Sequence, residues 1–344
     1  MMRCVSILYT LLSLGLMGCG GGAQSTSEPA VTAGQAGAES GGSAAGAAAN
    51  AGSAGSAGAQ PQEPQEPVTR RELAYPAPHE GDTSLNTLDL FDPGGVAPRP
   101  LVLLVHGGSW VGGDKAGYER DIVPWWLERG YIAAPVNFRL ATGIPQGDGV
   151  KPRDQARDIA SALGWLLSRA EEYHIDPSRV ILVGYSSGAH LVALLGTDER
   201  LLEEVNVEPE SVLASISLDV HAYDVPYALS LMEGSVVEQN IPLIHHLFGE
   251  EEAEQLESSP ISFVDGWAAR SLIISVDAAV DEVGSHGYIV SQCAQRYVEA
   301  LRAAGHQSET LHDASETHSS LVMGYGQAGD LTTQAIQELI DELP

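Results

Sequence analysis

The apolar run Val180–Val183 leads directly into Gly184-Tyr185-Ser186-Ser187-Gly188, which opens onto an Ala/Leu-rich stretch from Ala189 to Leu195. A strand that becomes a helix through so tight a turn lifts its central serine clear of the surface in strained backbone geometry. Only glycine at 184 and 188 lets the neighbouring chain pass that close. A G-x-S-x-G pentapeptide arises by chance in a chain with 38 glycines, so it needs a second signal. Leu101–Val105 is another buried-strand run, and it ends in His106-Gly107-Gly108-Ser109-Trp110. A Gly-Gly loop in that place turns backbone N–H groups toward a developing oxyanion beside the serine.

The rest of the C-terminal region repeats the alternation. Strand-like runs recur at 101–105, 131–136, 180–183, 215–218 and 272–276, and more weakly at 308–312. Helical patterns fall between them at 118–129, 154–173, 188–195, 292–304 and 331–343. This predicts an α/β fold with a mostly parallel sheet, helices on both faces and chemistry at the carboxyl ends of the strands. Residues 219–270 break the rhythm with roughly 50 residues where about 2–6 would suffice. Their aromatic and apolar side chains, among them Tyr223, Tyr227, Leu231 and Phe248, suit either a lid over a pocket or a permanently packed helical layer.

The first eighteen residues carry one Arg and an apolar stretch too short to span a bilayer, the pattern of an export signal. Leu16-Met17-Gly18-Cys19 resembles the lipobox of bacterial lipoproteins, which makes Cys19 the expected lipid-attachment residue. Residues 19–67, Gly/Ala/Ser-rich and then Pro/Gln/Glu-rich, cannot build a core and read as a tether with a reach on the order of 35–40 Å. The catalytic domain is expected at 68–344. A plain secretory signal is the alternative to an anchored, periplasmic or outer-face lipoprotein. With a net charge of −29, the chain is a poor match for nucleic acid or anionic lipid. Any membrane association is therefore expected through the lipid alone. Beyond the signal segment and Cys19 the only cysteine is Cys293, so no internal disulfide is expected.

A serine nucleophile needs a base, and the base needs an acid to fix its tautomer. Of the eleven histidines, His318 lies in the loop between the last strand and the C-terminal helix, where the base belongs, with His312 second. For the acid, Asp277 directly follows the strand ending at Val276 and is the expected partner. Asp281 and Asp219 are the alternatives. His106-Gly107-Gly108-Ser109-Trp110, Asn137-Phe138-Arg139-Leu140, Gly184–Leu191 and Thr317-His318-Ser319 together resemble the α/β-hydrolases of the hormone-sensitive-lipase and kynurenine-formamidase type. That resemblance implies a cofactor-free serine hydrolase of the carboxylesterase kind, with Ser186, His318 and an Asp as the triad. It also implies an oxyanion hole from Gly107, Gly108 and the N–H of Ser187. The family's Asp loop often carries a Pro that Asp277-Ala278-Ala279 lacks. Trp110 is a candidate pocket wall, Asn137 and Arg139 are expected to brace the oxyanion loop, and His106 to shape it. No stretch has metal-ligand or phosphate-loop spacing, so neither metal nor cofactor is expected. The expected partner is a small-molecule ester of a short-chain or aromatic carboxylic acid, cleaved through an acyl-enzyme, with an aryl formamide as the alternative substrate and a non-catalytic binding protein on the same fold as the rival of another class. The sequence leaves the oligomeric state open.

Overall fold

The computed structural model describes residues 66–78, 82–95, 97–141 and 149–344. The signal segment, Cys19 and all but the end of the tether lie outside them. Eight strands form one sheet in the order β1-β2-β4-β3-β5-β6-β7-β8. They are β1 (Val68–Ala74), β2 (Thr87–Asp92), β3 (Arg99–Val105), β4 (Ile132–Val136), β5 (Ile175–Tyr185), β6 (Val212–Leu218), β7 (Arg270–Val276) and β8 (Ser308–Asp313). From β4 to β8 every neighbouring pair is parallel, whereas β1 and β2 add an antiparallel edge. The sequence rhythm did not reveal that edge: β1 reads Val-Thr-Arg-Arg-Glu-Leu-Ala and stays largely exposed.

The central strands are apolar on both faces because helices cover both. Leu101, Leu103 and Val105 of β3 point into one core with helices α2 (Pro152–Leu167), α3 (Ser187–Leu195) and α8 (His286–Ala303). Val102 and Leu104 point into the other, against α1 (Ile122–Glu128) and α10 (Leu331–Asp341). Each large side chain so buried contributes about 1.5–3 kcal/mol. Two short helices, α4 (Glu199–Glu203) and α9 (Ser320–Gly324), follow α3 and precede α10.

The long segment between β6 and β7 folds into α5 (Val225–Met232), α6 (Ile241–Phe248), α7 (Glu252–Glu257) and short 3₁₀ turns. Tyr223, Val225, Ala228, Met232, Ile244, Leu247 and Phe248 are buried in the same core as α2 and α3. In this arrangement the insertion packs against the core and contributes Met232, Val237 and Asn240 to the lining of the cavity at Ser186. Among the described residues no helix is long and apolar enough to cross a membrane.

Candidate active site

Ser186 sits between β5 and α3 with φ 54° and ψ −123°, and its amide donates to the Leu218 carbonyl at 2.8 Å. The flanking glycines are sterically required. A Cβ on Gly184 would lie 2.2 Å from the Gly188 carbonyl oxygen, and one on Gly188 would lie 2.2 Å from that of Val105. The serine is therefore held at the carboxyl end of the sheet by backbone that nothing larger could form.

His318, in the loop after β8, places Nε2 3.1 Å from Ser186 Oγ. Its Nδ1 lies 2.5 Å from Oδ2 of Asp219. An ionised carboxylate only accepts, so the proton belongs on Nδ1, and Nε2 is left free to accept from the serine hydroxyl. Asp219 itself is fully enclosed, and its Oδ1 accepts the Val276 amide at 3.0 Å. Tyr185 O–H donates to the His318 carbonyl at 2.6 Å while its ring lies 4.9 Å from the imidazole, fixing the loop from below.

The carboxylate in contact with His318 differs from the sequence expectation. Asp277 does not reach His318: its Oδ1 accepts the Ala279 amide at 3.0 Å, capping its own turn, and its amide donates to Glu316. The reason is strand order. β6 lies beside β5 with Leu218 paired to Tyr185, so the residue after each strand, Asp219 and Ser186, stands at the same level. Asp277 follows β7, one strand further from the serine. Asp281 has no contact with the histidine either, in the exposed turn that follows. The signal available in the sequence was Asp219 directly after the Ser215–Leu218 run, together with the missing Pro beside Asp277.

Gly107 abuts Ser186, since a Cβ there would come 2.9 Å from Ser186 Cβ. Gly108, at φ +135°, turns its carbonyl back to accept from Val111 and Gly112. The amides of Gly107, Gly108, Ser109 and Ser187 have no backbone acceptor among the described residues. His106 stacks on Phe138 at 4.4 Å and hydrogen-bonds the Gly107 carbonyl at 2.9 Å, with burial pushing its pKa down. Asn137 accepts from the Lys115 amide and donates to Asp114. Arg139 pairs with buried Asp158 through two nitrogens, at 2.8 and 2.9 Å.

The cavity at Ser186 has a volume of about 140 Å³. Trp110, Val220, Met232, Val237, Ile289 and Val290 supply its apolar walls, and His221 and His286 also line it. Sequence reasoning had given neither histidine a place. Burial drives the pKa of His221 down to about 4, with neighbouring His286 adding to the effect, and burial likewise lowers His286. Both rings are therefore neutral near pH 7. Asp219, His286 and His318 each bring one potential ligand atom within 4.8 Å of the others.

The sequence profile of the BD-FAE family matches residues 88–285. A protein of Arabidopsis thaliana named a probable isoprenylcysteine alpha-carbonyl methylesterase is 28% identical over 262 residues, which span 74% of this chain and 52% of that protein. A probable carboxylic ester hydrolase of Mycobacterium tuberculosis is 24% identical over 291 residues, 77% of this chain and 61% of the relative. The chain thus spans between about half and three-fifths of the length of these curated relatives. Esterase B from Lactobacillus rhamnosis has the same fold, with a TM-score of 0.61 at 20% identity, covering 82% of this chain and 87% of that one. A truncated carbohydrate esterase from gut microbiota also superposes with a TM-score of 0.61 at 20% identity, covering 82% and 98%.

Proposed function

Since the chain belongs to the BD-FAE family, we propose that it is a serine hydrolase that cleaves carboxylic esters of short or compact acyl groups through an acyl-enzyme intermediate. The observation that carries this reading is the unbroken chain Ser186 Oγ–His318–Asp219 at 3.1 and 2.5 Å, opening into an apolar cavity. A binding protein has no use for a strained serine aligned with a base and a buried acid. Ser186 Oγ attacks the ester carbonyl as its proton passes to His318 Nε2, and Asp219 stabilises the imidazolium that results. The negative charge on the carbonyl oxygen is met by the amides of the Gly107–Gly108 loop and of Ser187. His318 then returns the proton to the leaving alcohol, and water repeats the sequence on the acyl-serine. The names of the relatives, a methylesterase and a carboxylic ester hydrolase, support the ester bond as the one broken.

A cavity of about 140 Å³ walled by Trp110, Met232 and Ile289 suits an acyl group of a few carbons. The fragment beginning at Val68 is expected to hydrolyse p-nitrophenyl acetate and butyrate with no added metal, and to leave a long-chain ester such as the palmitate nearly untouched. Failure to turn over any ester, in a folded preparation, would overturn the reading. The reading extends to the N-terminus: lipid on Cys19 anchors the chain and the Gly/Ala/Ser segment sets the domain off the membrane surface. Incorporation of a palmitate analogue, lost in Cys19→Ser, tests that part; an unlabelled wild type in the soluble fraction would contradict it.

A further inference from the structure

Ser109 and Trp110 follow Gly108 with φ of 54° and 64°, two successive non-glycine residues in left-handed conformation beside the nucleophile. Such backbone persists only where its surroundings over-determine it. Two groups outside the reacting set do so here. Gln155 of α2, fully enclosed, donates from Nε2 to the carbonyls of both Trp110, at 2.7 Å, and Arg139, at 2.8 Å. The Ala141 amide adds a second bond to the Trp110 carbonyl at 2.9 Å.

From the other side, the indole N–H of Trp110 donates to Nδ1 of His190, at 3.2 Å. His190, one turn into α3 from Ser186 and also fully enclosed, lies with Nε2 2.7 Å from the carbonyl of Ser258 in the helical insertion. A carbonyl only accepts, so the His190 proton must be on Nε2, which leaves Nδ1 to accept from the indole. Burial holds the pKa of this ring near 4, so the tautomer persists at neutral pH. Phe248 of α6 closes the cluster, with ring centroids 5.1 Å from Trp110 and 5.3 Å from His190.

We infer that His190 and Gln155 are positioning residues that clamp Trp110 from opposite sides, and that His190 ties the alignment of the oxyanion loop to the helical insertion through Ser258. The inference rests on the serine-esterase reading above. Without either clamp the Ser109–Trp110 backbone relaxes out of its left-handed conformation and carries the preceding amides away from the oxyanion. The loss falls on the transition state, because the ground-state ester makes little use of those donors.

The test is the rate of fluorophosphonate labelling at Ser186, together with kcat and KM for p-nitrophenyl acetate, in His190→Phe and Gln155→Leu. Each variant is expected to lose about 10²-fold in kcat, the size typical of a misplaced oxyanion donor, with KM within about threefold. Labelling should slow in parallel, since the phosphonyl oxygen occupies the same place as the oxyanion. A purely structural role would lower the midpoint of urea unfolding and leave kcat and labelling intact. If one variant does not fold, the other decides, and Trp110→Phe, which removes the indole N–H, carries the same expectation. Folded variants that label at the wild-type rate would overturn the clamp while the esterase reading stands; a wild type that does not label would overturn both.

Discussion

Asp219 and Asp277 each stand one residue beyond a parallel strand, and each has a positive φ, 59° and 97°, yet only Asp219 touches His318. The first follows β6, hydrogen-bonded to the strand that ends in the nucleophile. The second follows β7 and spends its carboxylate on the turn it begins. What separates them is sheet position rather than local chemistry. A carboxylate becomes a triad acid only where neighbouring strands bring it level with the serine and the rest of the fold removes it from water. Asp219 meets both conditions, while Asp277 remains half-buried.

The contrast can be broken first at the nucleophile. Ser186→Ala is expected to lower kcat on p-nitrophenyl acetate by about 10⁴-fold or more, because the members of a triad act as a unit. Near-wild-type turnover in that variant would remove the basis for comparing the two acids. Next come two glycines, Gly188 at the Ser186 turn and Gly287 of α8, packed against Asp277. Gly188→Ala drives a Cβ into the backbone carbonyls of Val105 and His106, whereas Gly287→Ala meets chiefly the Asp277 side chain, at 2.8 Å. The first is expected to cost more than about 3 kcal/mol and the second about 1–2 kcal/mol with kcat retained, both read from urea unfolding and steady-state rates. A Gly287→Ala protein that folds but has lost catalysis would give the Asp277 turn a part in the chemistry.

A more gradual effect concerns pH. His190 and His221 are held neutral by burial with pKa values of about 4, below the ordinary value of 6.5. Between those limits the unfolded chain binds the protons that the folded chain refuses. Each ring therefore subtracts about 1.4 kcal/mol of stability per unit as pH falls from about 6.5 toward 4. Stability is expected to drop over that window and to be indifferent to these two groups above it. His190→Phe should flatten the slope by about one proton, as measured by urea unfolding at several pH values. An unchanged slope would mean that His190 titrates alike in the folded and unfolded chains.

Most of the parallel sheet could be read from the sequence because strands buried on both faces are near-continuous apolar runs, as in Leu101–Val105 and Leu272–Val276. The edge could not. β1 carries two arginines and a glutamate because it faces solvent, and β2 buries Asp89 and Asp92, which breaks the apolar pattern. Lys115 compensates Asp89 at 3.3 Å, a pairing no local window reveals. Ser186 and His318 were legible since tight glycine turns and a loop histidine after the last strand are local features. The carboxylate that meets His318 was legible only as one of three, because register between β5 and β6 brings Asp219 level with Ser186. The clamp on Trp110 joins α2, α3 and the insertion, segments whose proximity follows from packing alone.

The central claim is that Ser186, His318 and Asp219 form the catalytic unit, and the comparison of Asp219→Asn with Asp277→Asn on one ester substrate tests it most directly. Asparagine preserves shape but cannot hold the His318 tautomer, so kcat for Asp219→Asn is expected to fall about 10⁴-fold. Asp277→Asn should remain within about threefold of wild type, its amide oxygen still able to cap the Ala279 turn. The opposite pattern, an active Asp219→Asn beside an inactive Asp277→Asn, would contradict the account.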